Sequence, residues 1–160
     1  MRLRIGTFAV WLVIAGVPQA LADDSASLTI RAFVPLSCDI QVETETDDST
    51  SLDLSEGQRD LLVATLWETC NVRAGYKVTI SSAGNGKLAG ETGAVSYELK
   101  YDSTTAKLAG SKETPVAVTD VTNPTPGKAV PRPLTISYRP AKTATGGGYS
   151  DTLTFTISPR

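Results

Sequence analysis

The clearest pattern in this chain is an alternation of apolar and polar residues that starts near position 26. Ala26, Leu28, Ile30, Ala32, Val34, Leu36, Cys38, Ile40 and Val42 occupy the even positions. Ser27, Thr29, Arg31, Ser37, Asp39, Gln41 and Glu43 occupy the odd ones, with Phe33 and Pro35 as the exceptions. A period of two places successive side chains on opposite faces, so the run predicts extended β structure with one buried face. The run is far longer than an ordinary strand. Pro35 has no N–H to give a ladder, so it divides the run into residues 26–34 and 36–43.

Further alternating stretches follow. Residues 61–70, LLVATLWETC, predict a strand, with a helix as the alternative because Leu, Ala and Glu favour one. Tyr76, Val78 and Ile80 predict a strand closed by a turn at Ala83-Gly84-Asn85-Gly86. Val95, Tyr97, Leu99 and Tyr101 alternate, as do Leu134, Ile136 and Tyr138, and then Tyr149, Leu153, Phe155 and Ile157. Val116, Val118 and Val121 suggest a less regular strand. Residues 44–60 are polar and acidic and read as a loop, with a short strand at Leu52-Asp53-Leu54. About seven short strands at near-regular spacing, with Gly, Pro and Asn between them, predict an all-β immunoglobulin-like sandwich.

The first residues change the picture. Arg2 and Arg4 precede an apolar run from Ile5 to Val17, and Ala20-Leu21-Ala22 offers small residues at a cleavage site. This is the pattern of a secretory signal peptide cut after Ala22, and the run is short for a bilayer span. The alternative is an uncleaved anchor. An exported chain whose two cysteines are Cys38 and Cys70 is expected to join them in a disulfide.

Composition narrows the chemistry. The chain of 160 residues has no His, 15 Lys and Arg against 17 Asp and Glu, and a net charge of −2. Without His there is no Ser-His-Asp or Cys-His catalysis and no His-ligated zinc. An acidic balance argues against nucleic-acid binding. The acid pairs Asp47/Asp48 and Asp53/Glu56 lie in a polar segment where a solvated loop is expected. Glycosidic catalysis needs two carboxylates fixed across a cleft, and the EF-hand spacing for calcium is absent. Gly146-Gly147-Gly148 precedes a strand rather than a helix, so it reads as a turn and not a phosphate cradle. Trp67 is expected in the core beside the disulfide, with a ligand platform as the alternative. No catalytic residue, cofactor or metal site is expected.

The parts SASLTIRAFVPLSC, WETC at 67–70, VSYELKYD at 95–102 and GGYSDTLTFTIS at 147–158 resemble those of chaperone–usher pilin subunits. They are most similar to the spore coat protein U and archaic pilin branch. The resemblance implies a signal peptide over 1–22, a donor-strand extension over 23–35 and an incomplete sandwich over 36–160. It implies Leu28, Ile30, Ala32 and Val34 as the donor face and Cys38–Cys70 as the bridge. It implies neighbouring subunits, a periplasmic chaperone and an outer-membrane usher as partners, with contact to a host surface as a further possibility. The alternative is a self-complete secreted sandwich, a binding module in which residues 26–34 pair within their own domain.

Overall fold

The computed structural model describes residues 26–45, 52–141 and 145–160. The signal segment, Ala22 and Asp47/Asp48 lie outside the described residues. The chain divides into two units, Met1–Phe33 and Val34–Arg160. The second holds nine strands among the described residues: β1 Cys38–Thr44, β2 Gln58–Cys70, β3 Tyr76–Ser82, β4 Lys87–Gly90, β5 Gly93–Tyr101, β6 Thr104–Ala106, β7 Val116–Val121, β8 Val130–Tyr138 and β9 Leu153–Pro159.

These strands form two antiparallel sheets. One has the order β1-β2-β8-β5-β4, with β6 also on β5, and the other has the order β7-β3-β9. The two pack face to face as an immunoglobulin-like sandwich, and no helix occurs among the described residues. The alternating residues meet between the sheets. Leu66, Tyr76, Val78, Ile80 and Tyr101 are fully buried there, with Leu99 and Leu134 beside them.

Turn chemistry fits the chain at the points where it must bend. Gly75, between β2 and β3, has φ +87, and a Cβ there would meet the Val121 carbonyl oxygen at 1.8 Å. Only glycine fits that position. Asn85 and Gly86 carry φ 54 and 78, the positive values expected of a tight turn between β3 and β4.

Several strand expectations need correction. Residues 26–37 belong to no strand, so the first piece of the long alternating run is not a strand here, and the second begins at Cys38 instead of 36. Period two shows which face a segment would bury, but a strand exists only when an edge pairs with it. Leu52-Asp53-Leu54 is likewise not a strand. Asp53 instead accepts hydrogen bonds from the backbone N–H and the hydroxyl of Ser55, a local turn that competes with extended pairing. β4 and β6 were not anticipated, because four and three residues carry too little periodicity to read. The helix alternative for residues 61–70 does not hold, since they lie within β2.

β8 contains Pro131 and Pro133 although it is a central strand. Asp102 N–H donates to the Pro133 carbonyl at 2.8 Å, so the Pro133 nitrogen also faces the β5 side. β5 ends at Tyr101, and Pro131 has the same parity one step further on. Neither ring removes a bond from the β2–β8 ladder, which is why both are tolerated.

Candidate functional site

Two strands at the sheet edges define the site. β1 ends one sheet and β9 ends the other, and they run close beside each other with no ladder between them. Their inward residues are incompletely covered. Val42 stands directly opposite Leu66 in the β1–β2 register, yet Val42 is 52% exposed and Leu66 is 0%. The second sheet shows the same fall-off. Ile157 and Phe155 of β9, opposite the fully buried Val78 and Ile80, are only half-buried. The core is therefore closed over its central strands and open along the β1–β9 side. Among the described residues neither edge has a ladder partner on that side, so its backbone N–H and C=O groups lie open beside apolar side chains.

The disulfide fixes one end of this side. Cys38 and Cys70 are register partners, with a Cα separation of 4.0 Å and an S–S distance of 2.02 Å. The expected pairing is therefore present, and it joins β1 to β2. Asn71 then holds the chain just ahead of β1. Its amide donates to the Pro35 carbonyl at 2.8 Å, and its side-chain oxygen accepts from the Ser37 N–H at 2.8 Å.

The expected donor residues lie in the segment before that anchor. Leu28 and Ile30 are each 84% exposed and Val34 is 73%; Ala32 is exposed as well. Phe33, of the opposite parity, is also exposed. Arg31 is the one charged residue between positions 26 and 37.

Sequence reasoning placed Trp67 in the core, and the structure reverses this. The inward residues of β2 are Ala64, Leu66, Glu68 and Cys70, so Trp67 points outward. Its indole N–H donates to Glu43 on β1 at 2.7 Å. The run LLVATLWETC is apolar on both parities, so its pattern does not say which set faces in. Cys70 decides, because it must meet Cys38 across the ladder.

That parity puts Glu68 fully inside, a feature sequence reasoning missed. The carboxylate accepts from the Tyr76 hydroxyl at 2.8 Å, from the Tyr101 hydroxyl, and from Arg132 Nε at 3.2 Å. Arg132 reaches on to Asp102 at 3.0 Å. A buried charge persists only when paired and hydrogen-bonded, and this one is both. Burial, followed by the Glu68 carboxylate, pushes the Tyr76 hydroxyl up to about 12 and raises Tyr101 further. Tyr101 also carries the cluster outward, its ring 6.3 Å from that of Phe155 on β9.

A second carboxylate organises the entry to β9. Asp151 accepts from Ser82 at 2.5 Å, from the Tyr97 hydroxyl at 2.5 Å and from the Gly84 N–H at 2.7 Å. It ties β9 to the β3–β4 turn and to β5. Two residues earlier, the Tyr149 ring lies over Gly90, where a Cβ would come within 2.7 Å of it. The Gly-x-Tyr-x-Asp stretch is thus a structural clasp. Burial and then Asp151 raise the Tyr97 hydroxyl well above its ordinary value. Asp53, of the Asp53/Glu56 pair, is exposed in its turn, and Gly146-Gly147-Gly148 forms a bend ahead of β9. Among the described residues, no three His, Cys, Asp or Glu side chains converge as metal ligands.

No family model matches this chain, and no curated protein matches it. One similar solved structure is the Hda pilus minor tip subunit HdaB of E. coli. It is 15% identical over 74% of this chain and 79% of that one, with a TM-score of 0.36. That likeness is too distant to bear on function.

Proposed function

We propose that this chain is an exported structural subunit of a surface fibre of the pilus type, polymerised by strand donation. Residues 23–35 are the donor extension and residues 36–160 the accepting domain. In this reading residues 26–34 of one copy cover the open β1–β9 side of the next. Leu28, Ile30, Ala32 and Val34 turn inward over the half-buried residues of both edges. The supporting observation is the matched pair of exposed apolar surfaces: Val42 is 52% exposed on an edge strand, and Leu28 and Ile30 are each 84% exposed in a segment outside every strand.

The energetics favour such an exchange. An added strand satisfies the edge N–H and C=O groups, and pockets for alternate side chains give specificity. Burying each Leu, Ile or Val contributes about 1.5–3 kcal/mol. The same open edge is an aggregation hazard in a lone subunit. A periplasmic chaperone covering it until an outer-membrane usher hands it to the next donor answers that hazard. The branch typified by spore coat protein U is the subfamily proposed.

The test is to delete residues 23–34, and separately to make Ile30→Asp, in cells carrying the cognate chaperone. Both variants are expected to remain folded and chaperone-bound yet fail to enter a polymer, because the accepting side is intact and the donor is not. A charge in place of Ile30 would meet an apolar surface at a cost of several kcal/mol. If the deleted chain is unfolded even with chaperone present, the segment works within its own domain. The protein would then be a self-complete secreted sandwich.

A further inference from the structure

We infer that Arg31 of the incoming copy seats on the outward acidic row of β1, Asp39–Gln41–Glu43, and thereby sets where along that edge the donor strand pairs. This rests on the proposed strand donation and adds the electrostatic half of its recognition. With the even residues of the donor facing inward, Arg31 has the opposite parity and faces outward. The two edges it meets differ in charge. The outward residues of β1 are Asp39, Gln41 and Glu43, whereas those of β9 are Thr154, Thr156 and Ser158, all of them exposed.

The row retains capacity for a cation. Among the described residues, Asp39 accepts from the Gln41 amide at 2.9 Å and Glu43 from the Trp67 indole at 2.7 Å. An ionised carboxylate has about four acceptor positions. A directly opposite or diagonal cross-strand neighbour is within reach of an arginine side chain. Glu45, which accepts from the Thr65 hydroxyl at 3.1 Å, extends the negative field beyond Glu43.

The apolar face alone does not fix register. A slip of one residue turns every donor side chain over and is strongly excluded. A slip of two replaces one apolar residue by another, since Leu28, Ile30, Ala32 and Val34 are all apolar. Arg31 breaks that degeneracy, because a shift of two residues along β1 moves it from a charged position, Asp39 or Glu43, to the uncharged Gln41, and β9 offers no acidic counterpart.

The experiment follows assembly of the full exported chain by sedimentation and light scattering at low and high salt. Wild-type assembly is expected to slow as salt rises. Arg31→Glu and Asp39→Arg are each expected to slow it about fivefold at low salt, with unchanged thermal midpoints of the subunit. The double variant Arg31→Glu with Asp39→Arg should recover the wild-type rate, which simple damage to either residue would not allow. Ile30→Asp separates the two levels. If Ile30→Asp assembles like the wild type, strand donation itself fails. If Ile30→Asp blocks assembly while Arg31→Glu assembles at the wild-type rate, or the double variant shows no recovery, donation stands and the Arg31 assignment is overturned.

Discussion

Leu66 and Val42 face the same side of the same ladder, one strand apart. Leu66 sits under the facing sheet with no exposure, whereas Val42 keeps 52% of its surface in solvent. The same contrast separates Val78 and Ile80 on β3 from Ile157 and Phe155 on β9. The centre of this sandwich is finished and one side is not. Apolar residues at the centre stabilise the subunit itself. Apolar residues at the side contribute less to it, because solvent still reaches them.

The strongest attack on the finished region is through its buried charge. Glu68→Ala should cost about 3–5 kcal/mol of unfolding free energy, because it leaves two buried tyrosine hydroxyls without their acceptor and Arg132 with Asp102 alone. Denaturant unfolding of the purified subunit measures this. Combining Glu68→Leu with Tyr76→Phe and Tyr101→Phe should recover much of the loss, since the polar groups are then removed together.

Next in size is the comparison itself. Leu66→Ala should destabilise the subunit by about 2–5 kcal/mol through the cavity it leaves. Val42→Ala should cost under about 1 kcal/mol in the isolated subunit, since little buried surface is lost. Equal costs for the two would show that the β1 side is already closed in solution. If strand donation holds, Val42→Ala should instead lower the stability of the polymer.

The clasp on β9 should fall between these two regions. Asp151→Ala removes the acceptor of three hydrogen bonds and should cost about 1–3 kcal/mol. Hydrogen exchange should report the loss as weakened protection in β9 and in the β3–β4 turn.

The smallest effect is one of pH. Burial and a neighbouring carboxylate raise the hydroxyls of Tyr76, to about 12, and of Tyr97 and Tyr101. The folded chain therefore holds protons that the unfolded chain releases near pH 10. Their stabilisation is complete below pH 10 and is lost as pH rises through the folded values. Stability should fall from pH 10 upward, and Tyr101→Phe should flatten that slope. A Tyr101→Phe variant with an unchanged slope would show that Tyr101 does not keep its proton in the folded chain above pH 10.

Most of the β-strands were legible in the sequence because alternation is a local property. Tyr76-Val78-Ile80, Val95 to Tyr101, Leu134 to Tyr138 and Leu153 to Ile157 each state their strand and their inward face without help. Together with the turn residues between them they also determined the all-β class, and two cysteines in a chain whose first residues read as an export signal pointed to the bridge. Tertiary structure decided what alternation leaves ambiguous. In residues 61–70 both parities are apolar, so only the register with β1 through Cys38 and Cys70 places Glu68 inside and Trp67 outside. The hub role of Asp151 depends on Ser82, Gly84 and Tyr97, which are distant in sequence and meet only when the sheets close. Residues 26–34 show the converse. Their alternation determines which face they would bury, but a strand needs a partner edge, and no local pattern can supply one.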